Sequence, residues 1–174
     1  MKKAINGGSF DPPHLGHLEV IQQTIISLNI DKLIVVPAFL NPFKSKSYAP
    51  AELRLKWLKA MTKEMPSVSV SSYEIDQNRS VASIETVRHF KDDDEIYLII
   101  GADNLEKLSQ WKDFEALDAM VTWVVATRDN IEIPQKYISL NVNQDISATQ
   151  LRKQIEEAYL DKSIAKEILD YYQK

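Results

Sequence analysis

No cysteine occurs in the chain, which at once removes disulfide frameworks, thiolate zinc sites, iron–sulfur clusters and cysteine nucleophiles. Basic charge is not in excess either, because 21 Lys and Arg stand against 25 Asp and Glu, for a net charge of −4 and a pI of about 5.4. That balance carries neither a nucleic-acid footprint nor a disordered acidic tail, so any phosphate binding must be local. No apolar run approaches the ~18 residues of a spanning helix. Lys2-Lys3 is followed by only Ala4-Ile5 before Asn6-Gly7-Gly8, too little for a secretion signal. The expected address is the cytoplasm, with no membrane partner. Glycine is also scarce: about twelve would accompany average usage, and four are present. Gly7, Gly8 and Gly16 cluster near the start and Gly101 ends an apolar run. A chain this sparing keeps glycine where backbone bends sharply or a ligand comes close; for Gly101 an ordinary turn serves equally well.

What is present fits one domain over residues 1–174, since 44% hydrophobic residues in this length suffice for a single core. Lys3 to Asn6, Lys32 to Val36, Ile96 to Ile100 and Val121 to Ala126 are short apolar runs rich in branched side chains, as in strands buried on both faces. Val68 to Ser71 alternates like an edge strand, and Ile138 to Leu140 is a further short one. Helical spacing falls between them: Leu18, Ile21, Ile25 and Leu28 recur three and four apart, and similar patterns cover Glu52 to Thr62, Val81 to Phe90, Asp113 to Ala119, Thr149 to Tyr159 and Ser163 to Tyr172. The alternation predicts an α/β fold with an open, mostly parallel sheet and helices on both faces. No internal repeat or low-complexity tract occurs, and the only long irregular stretch, Pro37 to Pro50, reads as a binding loop or an idle surface loop. Ligands of such sheets sit beyond the strand carboxyl ends, so Gly7-Gly8, the Pro37 loop and Gly101 are expected to share one crevice.

Asn6-Gly7-Gly8-Ser9-Phe10-Asp11-Pro12-Pro13-His14-Leu15-Gly16-His17 concentrates the chemistry. Paired glycines after a strand leave N–H groups free for an anion, and a helix start beyond Pro12-Pro13 adds partial positive charge. His14 and His17 lie on one face of that start, where two imidazoles can donate hydrogen bonds to phosphate oxygens in a pocket of positive character. Half a metal site is the competing reading; with only His89 besides, a three-histidine site would need every histidine in the chain. Satisfied core or surface histidines are the other. No dinucleotide fingerprint or Walker loop matches. Near the end, Ser147-Ala148-Thr149 gathers hydroxyls and free N–H groups at a helix start, with Arg152 one turn inside for a bidentate grip on phosphate. An ordinary cap with a solvated arginine is the alternative.

Gly7 to His17 resembles the signature of nucleotidyltransferases of the His-x-Gly-His superfamily, and most closely the bacterial nicotinate-mononucleotide adenylyltransferases. The likeness continues in order through Asn41-Pro42-Phe43-Lys44, Ser83-Ile84-Glu85-Thr86, Gly101-Ala102-Asp103-Asn104, Trp111, Arg128 and Ile146 to Arg152. It implies a Rossmann-like fold and transfer of AMP from ATP to nicotinate mononucleotide, with in-line attack on the α-phosphate, no covalent intermediate, and release of pyrophosphate. The cofactor implied is Mg²⁺ carried with ATP. By the same resemblance His14, His17, Lys44 and Arg152 form the catalytic set. Gly7, Gly8, Ser9, Phe10, Gly16, Gly101, Asp103, Ile146, Ser147 and Thr149 would bind ATP, and Ser83, Thr86, Trp111, Lys112 and Arg128 the acceptor. Asp103 would meet a ribose, although an N-cap role competes. Trp111 would stack on the pyridine ring, with core packing as the alternative. Ser83 and Thr86 would offer hydroxyls, though such a pair on a helix is ordinarily plain surface, and Arg128 is equally readable as solvated.

The chain departs from the family pattern in three places: Ser9 stands for the usual threonine, no histidine precedes Lys44, and Ala148 replaces a common serine. The resemblance leaves open nicotinamide mononucleotide or phosphopantetheine as acceptor, a non-catalytic nucleotide sensor on the same scaffold, and the oligomeric state, a homo-oligomer included.

Overall fold

Six runs of branched and aromatic side chains become six strands: β1 (Lys2–Gly8), β2 (Lys32–Pro37), β3 (Val68–Val70), β4 (Glu95–Gly101), β5 (Val121–Ala126) and β6 (Ile138–Leu140). The computed structural model describes residues 1–40, 47–128, 130–143 and 146–173. The strands form one sheet in the order β3-β2-β1-β4-β5-β6, and every neighbouring pair runs parallel. Seven α-helices connect or follow them among the described residues: α1 (Leu15–Ser27), α2 (Ala51–Met61), α3 (Tyr73–Asp76), α4 (Ser83–Lys91), α5 (Phe114–Met120), α6 (Ala148–Lys153) and α7 (Ala165–Tyr172).

Strand periodicity sorts the core into two layers. Ala4, Leu33, Val35, Ile99, Val124 and Ala126 face one side, where Ile21 of α1, Trp57 and Leu58 of α2, Leu151 of α6 and Ile168 of α7 cover them. Ile5, Ile34, Val36, Leu98, Ile100 and Val125 face the other, under Ile84 and Val87 of α4 and Leu117 of α5. Burial on both faces explains why these runs are continuously apolar. Among the described residues, no helix is long and apolar enough to cross a membrane.

The order of strands positions the site. From β1 the chain moves outward through α1 to β2 and β3, then crosses back through α4 to β4 on the opposite side of β1. Neighbouring connections therefore diverge between β1 and β4 and leave a crevice beyond their carboxyl ends, where Gly8 and Gly101 lie.

Three local expectations change. The helix expected over Thr149 to Tyr159 stops at Lys153; Gln154 is extended and a short 3-10 turn follows over Glu157–Tyr159. Leu151, Leu160 and Ile164 all insert into one core layer, and the break lets them do so. Ala102–Gln110 is a 3-10 helix, and Tyr73–Asp76 a single helical turn; neither was expected. Gly7 and Gly8 are not the bend itself but the last residues of β1, paired with Val36 and Pro37. Among the described residues no glycine has a positive φ; the left-handed residue of the motif is Phe10, at φ 51°.

Candidate active site

His14 is the N-cap of α1. Its Nδ1 accepts the backbone N–H of Gly16 at 3.1 Å and of His17 at 3.3 Å. His17 answers, its Nδ1 accepting the backbone N–H of His14 at 3.1 Å. This is a reciprocal capping arrangement with imidazoles in the places usually taken by Ser or Thr and Glu or Gln. The rings stack with centroids 3.7 Å apart and planes 19° from parallel. A ring that accepts at Nδ1 carries its proton on Nε2, so both histidines are neutral and each retains one N–H donor for a ligand.

Electrostatics agree with that assignment. Burial pulls His14 down to about 3, and the Arg128 charge adds to the shift. His17 is held well below its ordinary value, first by burial, then by His14 and Arg128. The pair therefore offers hydrogen-bond donors and carries no positive charge of its own. Positive charge comes instead from Arg128, just past β5, whose field reaches both rings.

Gly8 leaves room for the ring of Phe10, since a Cβ there would sit 3.3 Å from it. That ring, 3% exposed, meets His17 edge-on at 4.8 Å. Asp11 is buried and does not face the crevice: its carboxylate accepts the backbone N–H of Tyr48 at 2.7 Å and of Ala49 at 3.0 Å, and the Tyr172 hydroxyl. Its carbonyl accepts Nη1 of Arg152 at 2.5 Å, while the Arg152 guanidinium lies 4.1 Å above the Tyr48 ring. Arg152 thus reaches from α6 to the carbonyl of Asp11 in the histidine motif. Ser147 caps α6 through Gln150 N at 3.4 Å, and Thr149 is exposed. The Ile146 side chain belongs to the core, so only its backbone can serve a nucleotide. Lys44 lies outside the described residues.

The β4 side of the crevice differs. A Cβ at Gly101 would stand 2.6 Å from Asp103 Oδ1, so a side chain there would push the exposed Asp103 carboxylate aside. Asp103 is exposed within Ala102–Gln110 and does not cap that helix, whose N-cap is Gly101. Ser83, partly exposed, opens α4. Thr86 is buried at 3% exposure, and its hydroxyl donates to Glu74 Oε2 at 2.6 Å. Its proton is committed inward, so Ser83 and Thr86 are not two equivalent donors. Glu74, missed by sequence reading, is raised to about 7, mainly by burial, with the Thr86 hydrogen bond pulling back and Glu85 pushing further up. Trp111, partly exposed, packs edge-on against Trp123 at 6.1 Å, and the Trp123 indole is fixed by Asp118 Oδ1 at 2.7 Å. The charge of exposed Lys112 acts on Glu85 in the first turn of α4. Among the described residues no three His, Asp or Glu side chains gather as a metal cage.

A parallel sheet with a nucleotide-type crevice and a histidine-capped first helix defines a class of α/β phosphate-binding proteins. Comparison with known proteins narrows this. The Cytidylyltransferase-like family model matches residues 5–154. The chain is 52% identical over 172 residues to the "Probable nicotinate-nucleotide adenylyltransferase" of Sulfurimonas denitrificans, covering 98% of this chain and 94% of that one. It is 42% identical to the protein of the same name from Campylobacter fetus, covering 100% and 98%. Plasmodium falciparum nicotinic acid mononucleotide adenylyltransferase complexed with APC superposes with a TM-score of 0.74 at 17% identity, over 99% of this chain and 96% of that one, a likeness of fold. The chain belongs to the cytidylyltransferase-like family and, within it, to the group of proteins carrying the nicotinate-nucleotide adenylyltransferase name.

Proposed function

We infer that this chain, as a single nucleotidyltransferase domain, transfers AMP from ATP to nicotinate mononucleotide, forming nicotinate adenine dinucleotide and pyrophosphate in NAD biosynthesis. The observation that carries the reading is the neutral, mutually capped histidine pair beside Arg128, at the point where the sheet opens. The relatives' shared name supplies the acceptor. The acceptor's phosphate oxygen attacks the ATP α-phosphorus, the α–β bridging bond breaks, and its electron pair leaves with pyrophosphate. An anionic phosphate needs no general base, so catalysis consists of aligning anions and stabilising charge on the phosphates.

His14 and His17 donate through Nε2 to the ATP phosphates, with His17 the main transition-state donor. Arg152, helped by Ser147 and Thr149, holds the pyrophosphate side, and Lys44 supplies a further cation. Gly7, Gly8 and Gly16 let the nucleotide approach the backbone, and Asp103 accepts from its ribose. Trp111 stacks on the pyridine ring near Ser83 and the start of α4, and Arg128 attracts the acceptor phosphate. Mg²⁺ would be carried with ATP, in keeping with its preference for phosphate and water ligands, and would help neutralise charge on the phosphates.

Pyrophosphate release with ATP and Mg²⁺ tests the reading when nicotinate mononucleotide, its amide analogue and phosphopantetheine are compared. The expected result is fastest release with nicotinate mononucleotide. Preference for either alternative would reassign the acceptor, and no release with any of them would favour a nucleotide sensor.

A further inference from the structure

We propose that Arg54 is a positioning residue for the phosphate end of this site, acting through Phe10 on the histidine pair. The inference rests on the adenylyl-transfer reading above. Arg54 lies on α2, is 0% exposed, and belongs to no part of the signature. A guanidinium withdrawn from water persists only if its donors are satisfied. Its partners are four main-chain carbonyls: Nε donates to Ala49 O at 3.0 Å, Nη1 to Ser9 O at 2.6 Å and Ala38 O at 2.8 Å, and Nη2 to Phe39 O at 3.1 Å. Asp11 and Glu52 act on it through their charges.

These carbonyls come from three separate segments: the turn after β1, the exit from β2, and the approach to α2. A rigid planar fork can bind them together; the compact ammonium of lysine cannot reproduce its directions. The Ser9 contact matters most. Ser9 O belongs to the peptide plane immediately before Phe10, and rotation of that plane is what would release Phe10 from its left-handed φ of 51°. An aromatic residue persists in that region only where its surroundings over-determine it. The Phe10 ring is wedged between Gly8 and His17, and His17 in turn caps the backbone of His14. Arg54 thus fixes one peptide plane, that plane fixes a ring, and the ring aims two Nε2–H donors. Without the clamp Phe10 relaxes, the edge contact with His17 opens, and the donors are misdirected while the sheet stays intact.

Arg54→Lys and Arg54→Met test this by steady-state kinetics and histidine NMR at a temperature where circular dichroism shows both folded. In Arg54→Lys, kcat should fall by about 10²-fold, the scale of a catalytic group misplaced by about 1 Å. The KM for acceptor should stay at the wild-type value, and the ring resonances of His14 and His17, but not His89, should shift. A folded Arg54→Lys variant with wild-type kcat and unchanged His14 and His17 signals, differing only in melting temperature, would overturn the proposal. If neither variant folds, the wild-type protein is titrated with a non-hydrolysable ATP analogue. The Arg54 Nε–H signal moving with His17 supports the clamp, and a fixed Arg54 signal while His17 moves overturns it. If wild-type protein releases no pyrophosphate, the functional reading fails separately, and the histidine shifts in Arg54→Lys still decide the clamp.

Discussion

Two helices begin at the same end of the sheet with the same hydrogen bond made by different side chains. At α1, His17 Nδ1 accepts the N-cap N–H of His14 at 3.1 Å; at α4, Glu85 Oε2 accepts the N-cap N–H of Ala82 at 3.2 Å. The difference lies in what remains after capping. Imidazole has a second nitrogen on the far side of the ring, so His17 caps with one and retains a donor on the other. Glu85 spends both oxygens, since Arg79 holds them at 3.0 and 3.1 Å. The cap of the first start combines structure with chemistry, and the Glu85 cap of the second is structural.

The largest effect expected from this contrast is on turnover. His17→Ala removes cap and donor together and should lower kcat by about 10²–10³-fold, the scale of losing one charge-stabilising donor. His17→Gln restores a capping acceptor at that position, so its melting temperature should recover while its kcat does not. A His17→Gln enzyme with near-normal pyrophosphate release would dissolve the distinction between the two helix starts.

The next effect concerns acid. His14 drops from 6.5 unfolded to about 3 folded, so below pH 6.5 the unfolded chain binds more protons and stability declines as pH falls toward 3. At pH 5 the loss amounts to about 2 kcal/mol, taking about 1.4 kcal/mol for each unit below 6.5. Glu74 has the opposite sign. Its folded value, raised to about 7 from 4.5, gives stability that is complete below 4.5 and is lost as pH rises through 7, on the order of 2 kcal/mol between pH 5 and 7. The two trends oppose each other in the wild-type protein, with His17 adding to the His14 side, so urea unfolding of His14→Asn and Glu74→Gln across pH 5–8 should separate them. Relative to wild type, His14→Asn should gain stability as pH is lowered and Glu74→Gln as pH is raised. Parallel pH profiles for the two variants would refute both assignments.

The smallest effect belongs to α4. Glu85→Ala removes the cap and the Arg79 pair, and should lower stability by about 1 kcal/mol, typical of a lost cap with an exposed ion pair adding little. Its kcat should remain within about twofold, because ordinary surface changes cost little and no donor to phosphate is lost. A large loss of turnover would mean that the α4 start also takes part in chemistry.

The strands were legible in the sequence because burial on both faces forces continuous branched runs such as Ile96 to Ile100, leaving only their ends uncertain. The clustering of histidines and glycines at one strand end was legible for a similar reason: sharp local demands leave local residues. The break after Lys153 was not, since no Gly or Pro marks it and Ile155 continues the apolar spacing; long-range packing decides it. Arg54 and Glu74 were equally hidden. Arg54 reads as one charged residue of the expected Glu52 to Thr62 helix and Glu74 falls in no expected element; the importance of each comes from carbonyls or a hydroxyl that are distant in sequence or fixed only by the fold. The protonation state of the histidines was also out of reach, because it depends on which ring nitrogen the backbone occupies.

That protonation state is the point on which the account turns. Long-range ¹H–¹⁵N NMR of the imidazoles between pH 5 and 8 reports tautomer and titration ring by ring. His14 and His17 should both remain neutral with the proton on Nε2 across the whole range. A proton on Nδ1 of either ring, or a midpoint near 6.5, would contradict the neutral capped pair.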